Sequence, residues 1–278
     1  MGKEQFRVDD KVVIVTGGGR GLGKAMAVSL SEAGAEVCIA SRTVSQLEDA
    51  AAEIEAKSGK APLIVPTDVQ SSAQCDALIA ETVKHYGRLD VMLSNAGIGD
   101  RRGAGDKPWE LSDDDWHDTI SVNLYSTFFC ARAAIRAFRA QGDGGNIINV
   151  SSGTALRGSP PNFAYATAKG GVISITKGLA ATLVGEGIRS NCIVPGFVSQ
   201  RPSEDEQEQN MRDQRGRFLA VKRLGEAWEL GPLAVFLVSD SSSYVTGETF
   251  IIDGGGLAAG IAPTGWTPEF IPEGGLNA

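Results

Sequence analysis

The chain has 278 residues, of which 42% are hydrophobic and 22% are charged, so it is long and apolar enough to bury a substantial core. Its formal net charge of −8 argues against a nucleic-acid partner, because binding to a phosphate backbone needs a basic surface. No stretch approaches the ~20 apolar residues of a membrane-spanning helix, and the polar start lacks a secretory signal. We therefore expect a cytoplasmic protein with no membrane association.

Short apolar runs alternate with helix-like segments along the chain. Strands are predicted where the runs are too short for helices and rich in Val and Ile: residues 11–15, 37–40, 62–66, 91–94, 146–150, 189–194 and 249–252. Helices are predicted between them, at about 21–33, 43–57, 71–86, 112–141, 161–185 and 226–238. This alternation predicts right-handed crossovers. The expected fold class is α/β, a doubly wound seven-stranded parallel sheet with helices on both faces, in a single domain over residues 1–254.

An almost wholly polar segment, QRPSEDEQEQNMRDQRGR, interrupts the alternation after the sixth strand. Glu208 and Arg212 have the spacing of a helical ion pair, as do Asp213 and Arg217. One interpretation is a solvated surface helix. The other, which the position after a strand's carboxyl end favours, is a lid over a pocket at about 199–225.

The last segment, residues 255–278, follows the final predicted strand and carries Trp266 and Phe270. Exposing such large apolar side chains in a free tail is unfavourable. A disordered end is one interpretation, and docking on a neighbouring subunit is the one that we favour.

The cysteines and histidines do not have the spacing of metal ligands. His85 and His117 fall on predicted helices and have no ligand partner nearby in the sequence. The four cysteines are far apart and form no C-x-x-C motif: Cys38, Cys75, Cys130 and Cys192. We expect reduced thiols and no metal site.

A glycine-rich loop follows the first predicted strand in VVIVTGGGRGLG. Gly17, Gly21 and Gly23 allow the backbone to turn tightly and to approach a pyrophosphate, while the helix start offers free N–H groups and a positive dipole end. A purely structural turn would use similar glycines. The strand–loop–helix context favours nucleotide binding.

Tyr165 and Lys169 are four residues apart in NFAYATAKGG, so on a helix they share one face. The pKa of a free tyrosine is near ~10, and a nearby ammonium favours the phenolate. Such a pair can exchange a proton with a carbonyl oxygen at neutral pH. Taken singly, a helical tyrosine usually packs in the core and a lysine usually points to water.

The separated motifs occur in an order that resembles the short-chain dehydrogenase/reductase family: T-G-x-x-x-G-x-G, then Asn95-Ala96-Gly97, Asn123, Ser152, and Tyr165 with Lys169. The resemblance covers about residues 10–254. It implies a Rossmann-like fold and hydride transfer involving a nicotinamide cofactor. It also implies a homotetramer whose subunits meet through the helices predicted at 112–141 and 161–185.

The resemblance gives each catalytic residue a role. Tyr165 would donate or accept the proton, with Lys169 favouring its ionised form. Ser152 would hydrogen-bond the substrate oxygen. Asn123 would support a water that links the lysine to solvent, although it could instead cap a helical kink.

By the same resemblance, cofactor contacts come from the glycine loop, the ends of the next strands, the catalytic helix and the Pro-Gly turn after the sixth strand. The candidate cofactor-binding residues are Gly17, Arg20, Gly21, Leu22, Gly23, Ser41, Arg42, Asp68, Val69, Asn95, Ala96, Gly97, Tyr165, Lys169, Pro195, Gly196 and Val198. Asp68 would contact the adenine, although it could equally be a loop cap. Val198 would hold the carboxamide, and Gln200 replaces a threonine that the family often has there.

The second predicted strand ends in Ser41-Arg42 and has no acid to bind the ribose hydroxyls. Arg42 and Arg20 could pair with a 2′-phosphate, and Ser41 could add a hydroxyl. Either arginine alone could be an ordinary surface charge. Together they favour NADP(H), with NAD(H) possible.

The sequence gives weaker evidence that other cationic residues have a functional role. One helical stripe is better interpreted as solvated or facing another subunit than as a grip for an acidic partner: Arg132, Arg136 and Arg139. A long loop holds cations that could reach an anionic substrate, although exposed charge is the default: Arg101, Arg102 and Lys107.

The motifs predict an NADP(H)-dependent oxidoreductase that interconverts a secondary alcohol and a ketone, with Tyr165 as proton donor or acceptor. A 3-oxoacyl-[acyl-carrier-protein] reductase would use the same site but needs a basic surface for its carrier. A non-catalytic NADPH-binding scaffold is the alternative from another class. It would have no need of the complete Ser152, Tyr165 and Lys169 set. The expected partners are a small-molecule ketone or alcohol and other copies of the chain.

Overall fold

The structure is a computed structural model that describes residues 6–9, 11–99, 107–158 and 162–258. The predicted contributions of the tail and of two loop arginines lie outside the described residues: Trp266, Phe270, Arg101 and Arg102. The boundary predicted at residue 254 between domain and tail stays a prediction.

Seven strands form one parallel sheet in the order β3-β2-β1-β4-β5-β6-β9. Their bounds are β1 Val12–Thr16, β2 Glu36–Ser41, β3 Leu63–Pro66, β4 Val91–Ser94, β5 Gly145–Val150, β6 Ile188–Pro195 and β9 Thr249–Ile252. The strand order reverses direction between β1 and β4, which opens a crevice at the carboxyl ends of these strands. The prediction of a single doubly wound, Rossmann-like domain is confirmed.

Eight α-helices lie in the described part of the chain. Their bounds are α1 Gly21–Glu32, α2 Val44–Ser58, α3 Ser72–Tyr86, α4 Asp113–Ile120, α5 Ser126–Gln141, α6 Phe163–Leu183, α7 Glu206–Gly216 and α8 Gly231–Val238. They cover both faces of the sheet. Val13 and Val15 of β1 pack in a core with α1, α2 and α8, whereas Val12 and Ile14 pack on the other side with α3, α5 and α6. Burial on both faces explains why residues 12–15 of β1 form a continuously apolar run.

The predicted helix 112–141 is not continuous. A π-helical turn, Ser121–Tyr125, joins α4 to α5 and contains the buried Asn123. Such a turn widens the helix by one residue, and it frequently marks a functional site. The predicted helix 226–238 also begins differently, because residues 227–230 form a 3-10 turn before α8.

The polar segment after β6 contains the exposed helix α7. Glu208 and Arg212 form the expected ion pair at 2.8 Å. The Asp213 carboxylate instead accepts a hydrogen bond from Gln209 at 2.8 Å and forms no ion pair with Arg217 among the described residues. Two short strands, β7 Val198–Ser199 and β8 Gly225–Glu226, pair in parallel at the base of the segment.

Among the described residues, no helix is both long and apolar enough to cross a bilayer. The cytoplasmic location stays a prediction.

Candidate active site

The glycine loop turns from β1 into α1 with its backbone closely packed. Gly17 has a φ of +67°, a conformation that favours glycine. A Cβ at Gly23 would collide with the Gly17 carbonyl oxygen. Only glycine therefore fits both positions, and the amides at the start of α1 remain available to an anion.

Asn95 and Thr16 join the glycine loop to the end of β4. The Asn95 side-chain amide donates to the Thr16 carbonyl oxygen at 3.0 Å. The Thr16 hydroxyl accepts from the backbone N–H groups of Asn95 at 3.1 Å and Ala96 at 3.2 Å. These bonds fix the crevice at the point where the strand order reverses. Sequence analysis missed the role of Thr16, although this residue opens the T-G motif.

The end of β2 presents a buried hydroxyl without a partner. Ser41 Oγ is inaccessible to solvent and makes no hydrogen bond to a described residue. The exposed guanidiniums of Arg20 and Arg42 form no ion pair within the described chain. A buried polar group normally has a partner, so the combination fits the phosphate of a nucleotide.

These elements line one cleft of about 350 Å³ at the carboxyl ends of the strands. The predicted cofactor-binding residues that line it are Gly17, Arg20, Leu22, Ser41, Arg42, Asp68, Val69, Asn95, Ala96, Gly97, Tyr165 and Lys169. The Asp68 carboxylate accepts from the Gln70 N–H at 3.0 Å, which is the loop-cap alternative. Its side of the cleft remains open to a nucleobase.

Tyr165 and Lys169 lie one turn apart on α6, beside the end of β5. The Lys169 Nζ atom is 5.7 Å from the centroid of the Tyr165 ring and donates to the Val150 carbonyl oxygen at 2.9 Å. Ser152 follows β5, and its hydroxyl accepts from the Thr154 hydroxyl at 3.1 Å. The neighbouring Ser151 donates to the Lys169 carbonyl oxygen at 2.7 Å, which ties α6 to the strand.

Burial changes the acid–base behaviour of Lys169. Desolvation lowers the pKa of its ammonium from 10.5 to about 8, because a buried site disfavours the charged form. The side chain is still protonated at neutral pH. It therefore holds a positive charge next to the Tyr165 ring in a position from which water is largely excluded.

Asn123 connects the catalytic lysine region to the loop after β4. Its side-chain amide donates to the carbonyl oxygens of Ile98 and Thr119, both at 2.9 Å, and its oxygen accepts from the Ile98 N–H at 3.2 Å. A Cβ on Gly97 would lie 2.7 Å from Asn123 Oδ1 and 3.3 Å from Lys169 Nζ. Gly97, Asn123 and Lys169 therefore lie close together. The hydrogen bond from Asn123 to the Thr119 carbonyl oxygen also agrees with the alternative that Asn123 caps a helical kink.

Comparison with known proteins decides the family. A family model described as Enoyl-(Acyl carrier protein) reductase matches residues 17–256. Glucose 1-dehydrogenase 2 of Bacillus subtilis (strain 168) is 34% identical over 245 residues, covering 88% of this chain and 94% of that protein. The chain belongs to the short-chain dehydrogenase/reductase family. It is an NAD(P)-dependent oxidoreductase of this family.

Two further relatives support the assignment. The 3-oxoacyl-[acyl-carrier-protein] reductase FabG of Thermotoga maritima is 34% identical, covering 90% of this chain and 99% of that protein. A crystal structure of levodione reductase superposes with a TM-score of 0.84 at 32% identity, covering 91% of this chain and all of that chain (100%). The family resemblance predicted from the motifs is confirmed.

A second cleft of about 210 Å³ adjoins the cofactor cleft of this family member. Tyr165 lines both clefts, and Ser152 faces the second. Three aliphatic or aromatic side chains and the Pro-Gly turn form much of its wall: Phe197, Leu219, Leu257, Pro195 and Gly196. Pro195 and Gly196, predicted to bind the cofactor, therefore line the second cleft and not the first.

The polar segment after β6 meets the glycine loop at Gln200. A Cβ at Gly21 would lie 2.6 Å from Gln200 Oε1, and Gln200 lines both the cofactor cleft and a cleft beneath α7. Val198 lines the cleft beneath α7 and pairs with Gly225. The family threonine is thus replaced by a side chain that lies over the loop.

The helical-stripe arginines and the cysteines considered in the sequence analysis make contacts within the fold. The three-arginine stripe contacts Ser72, Asp76 and Glu186. All four cysteines are buried and free, and the structure brings Cys75 and Cys130, distant in sequence, to an Sγ–Sγ distance of 3.7 Å. The described residues contain no cluster of three metal-ligating side chains.

Proposed function

We propose that this protein interconverts a secondary alcohol and a ketone with NADP(H) and uses Tyr165 as the proton donor or acceptor. The observation that carries the proposal is the position of Tyr165, which lines both the cofactor cleft and the adjoining cleft. A phenol at this junction can exchange a proton with a substrate oxygen while the carbonyl carbon faces the cofactor. When bound, the cofactor supplies or accepts the hydride.

Each neighbouring residue has a defined task. The Lys169 ammonium favours the phenolate of Tyr165 by Coulomb attraction, which is strong because the site is buried. The Ser152 hydroxyl accepts a hydrogen bond from Thr154, so its own proton is available to the substrate oxygen. Asn123 holds the loop after β4 against α4 and thereby keeps the floor below Lys169 in place. Its link to a water relay is part of the proposal.

The preference for NADP(H) rests on the chemistry of the β2 end. An unpartnered buried hydroxyl at Ser41 and the unpaired guanidiniums of Arg20 and Arg42 offer hydrogen bonds and positive charge to a 2′-phosphate. No acidic side chain ends β2 where it would repel that phosphate. Binding of NADPH and NADH, measured by fluorescence titration, tests the preference directly.

We also propose a homotetramer. Phe128 and Tyr125 are large and exposed on α5 and its π-helical turn, and a groove of about 420 Å³ runs between α5 and Leu179 of α6. Exposed apolar patches of this kind usually mark interfaces. These helices are the ones through which the family resemblance expects subunits to meet.

Reduction of 3-oxoacyl carrier-protein thioesters is the second candidate, supported by the similarity to the FabG reductase of Thermotoga maritima. Turnover of a ketone panel with NADPH, followed by absorbance at the nicotinamide band, tests both candidates. Faster turnover of a 3-oxoacyl thioester than of any free ketone favours the second. Binding of NADPH without turnover of either class would favour the scaffold alternative and contradict the proposal.

A further inference from the structure

Arg157 places a cation in the cleft on the substrate side of Tyr165. It follows the short 3-10 turn Gly153–Leu156 that begins after Ser152, and it lines the same cleft as both catalytic hydroxyls. Its guanidinium carbon lies 5.6 Å from the centroid of the Phe197 ring. Stacking on an aromatic face orients the planar group while leaving its N–H donors for other partners.

No counter-charge neutralises this guanidinium within the described chain. Arg157 forms neither an ion pair nor a hydrogen bond with any described residue. Asp253 lines the same cleft, but its carboxylate accepts from the N–H groups of Gly255 at 2.9 Å and Leu257 at 2.6 Å. An unpaired arginine next to a reactive centre is notable in a chain of net charge −8.

Arg157 is exposed at the edge of the cleft, where a ligand in the cleft can reach its guanidinium. Phe197, Leu219 and Leu257 form an apolar wall that the carbon chain of such a ligand would contact. A guanidinium matches a carboxylate in a two-bond, planar arrangement.

The spacing along the chain limits where such a carboxylate sits in the substrate. Arg157 lies five positions after Ser152, and the four residues between them form the 3-10 turn. At a rise of roughly 2 Å per residue, the two backbones are on the order of 10 Å apart. A carboxylate several bonds from the carbonyl fits this span better than one attached directly to it.

We propose that Arg157 selects ketone and alcohol substrates that carry a carboxylate several bonds from the reacting carbon. The inference rests on the proposed ketone reduction, since it names the substrate class of the same site. Arg157 acts as a specificity-determining residue and takes no part in proton transfer.

Matched substrates test the proposal. The kcat/KM for 4-oxopentanoate and longer oxo acids is compared with that for their methyl esters, in the wild type and in the variants Arg157→Gln and Arg157→Lys. We expect the wild type to prefer the acids, Arg157→Gln to lose ~10- to 100-fold on the acids alone, and Arg157→Lys to recover part of the loss. Arg217→Gln removes an exposed arginine that follows α7 and lines neither cleft, and it serves as the matched control.

Equal losses on acids and esters would overturn the proposal, as would a wild type that prefers the esters. A loss confined to a 3-oxoacyl-coenzyme A would also overturn it, because the recognised anion would then be a carrier phosphate. Protection of the NADPH-bound protein against thermal unfolding by a non-reducible dicarboxylate gives a second readout, expected in the wild type and absent in Arg157→Gln. Persistent ester turnover would keep the proposed function intact if this inference fails.

Discussion

Lys169 Nζ lies 5.7 Å from the Tyr165 ring centroid while it donates to the Val150 carbonyl oxygen. The fold thus fixes an ammonium in a buried position where one oxygen of the described residues, that of Val150, accepts its hydrogen bond. Because desolvation disfavours the charge, this arrangement opposes stability. We propose that this unfavourable burial serves catalysis, because the ammonium favours ionisation of the Tyr165 phenol beside it.

Removing the Tyr165 hydroxyl tests proton transfer. Tyr165→Phe keeps the ring and its packing but has no proton to exchange, so we expect kcat for ketone reduction to fall by ~10²- to 10⁴-fold. NADPH binding, followed by fluorescence, should change little. Tyr244→Phe alters a fully exposed tyrosine outside both clefts and should retain wild-type activity. Full activity in Tyr165→Phe would remove the proton-transfer role.

Lys169→Met separates activity from stability. The variant should lose ketone reduction, yet unfold at a higher temperature at pH 7. Burying the ammonium costs roughly 3 kcal/mol, estimated from the lowering of the Lys169 pKa from 10.5 to about 8. The lost hydrogen bond to Val150 offsets about 1 kcal/mol of the gain. Thermal unfolding of the cofactor-free protein checks the result, with Lys84→Met on the exposed face of α3 as control.

The same variant should show a defined pH dependence. Below pH 8, Lys169 is charged in both the folded and the unfolded chain, so its burial penalty is fully present. Between about pH 8 and 10.5 the folded chain releases the proton first, and the wild type therefore gains stability relative to Lys169→Met. The difference in free energy of unfolding should shrink over this range. A constant difference from pH 7 to 10 would contradict the lowered pKa.

Arg42→Gln tests the cofactor preference. Loss of a charge-assisted contact to a 2′-phosphate should raise the Kd for NADPH by ~10- to 100-fold and leave the Kd for NADH nearly unchanged. Ser41→Ala should act in the same direction, because its hydroxyl lacks another partner. Lys84→Gln, which removes a cation outside the cofactor cleft, is the control. Equal weakening of both cofactors by Arg42→Gln would argue against phosphate recognition.

Phe128→Glu tests the assembly. A carboxylate in an apolar contact between subunits is costly, so this variant should sediment as a smaller species than the wild type at micromolar concentration. Val44→Glu changes a residue of similar exposure on α2, 45% against 44%, and should sediment as the wild type does. If both variants keep the wild-type sedimentation coefficient, Phe128 lies outside any interface.

The sequence predicted those features that depend on interactions between residues close together in the chain. Ser112 accepts a hydrogen bond from the Asp115 N–H at 3.1 Å and caps the start of α4, as a serine hydroxyl commonly does. Gly59 and Gly87 end α2 and α3 in the left-handed conformation. The strands could be predicted because each is short and carries a run of apolar residues, and their alternation with helices predicted the parallel sheet.

Tertiary contacts explain what the sequence left open. The π-helical turn depends on Asn123 bonding to Ile98, a residue 25 positions earlier, so helical periodicity could not reveal it. Thr16 and Arg157 gain their significance only from neighbours that are distant in the sequence. Only the structure revealed that the hydroxyl at Ser41 lacks a partner, although the residue itself was a candidate from the outset.

The pairing of β7 with β8 has a consequence for how this enzyme can diversify. Val198 and Gly225 are register partners, so the chain between them leaves and rejoins the body of the protein at one point. Insertions within such a closed loop cost little entropy and do not disturb the central strands. We therefore expect that exchange of the part beyond Gln200 can reshape the second cleft through Leu219 while Tyr165 and Lys169 keep their places on α6.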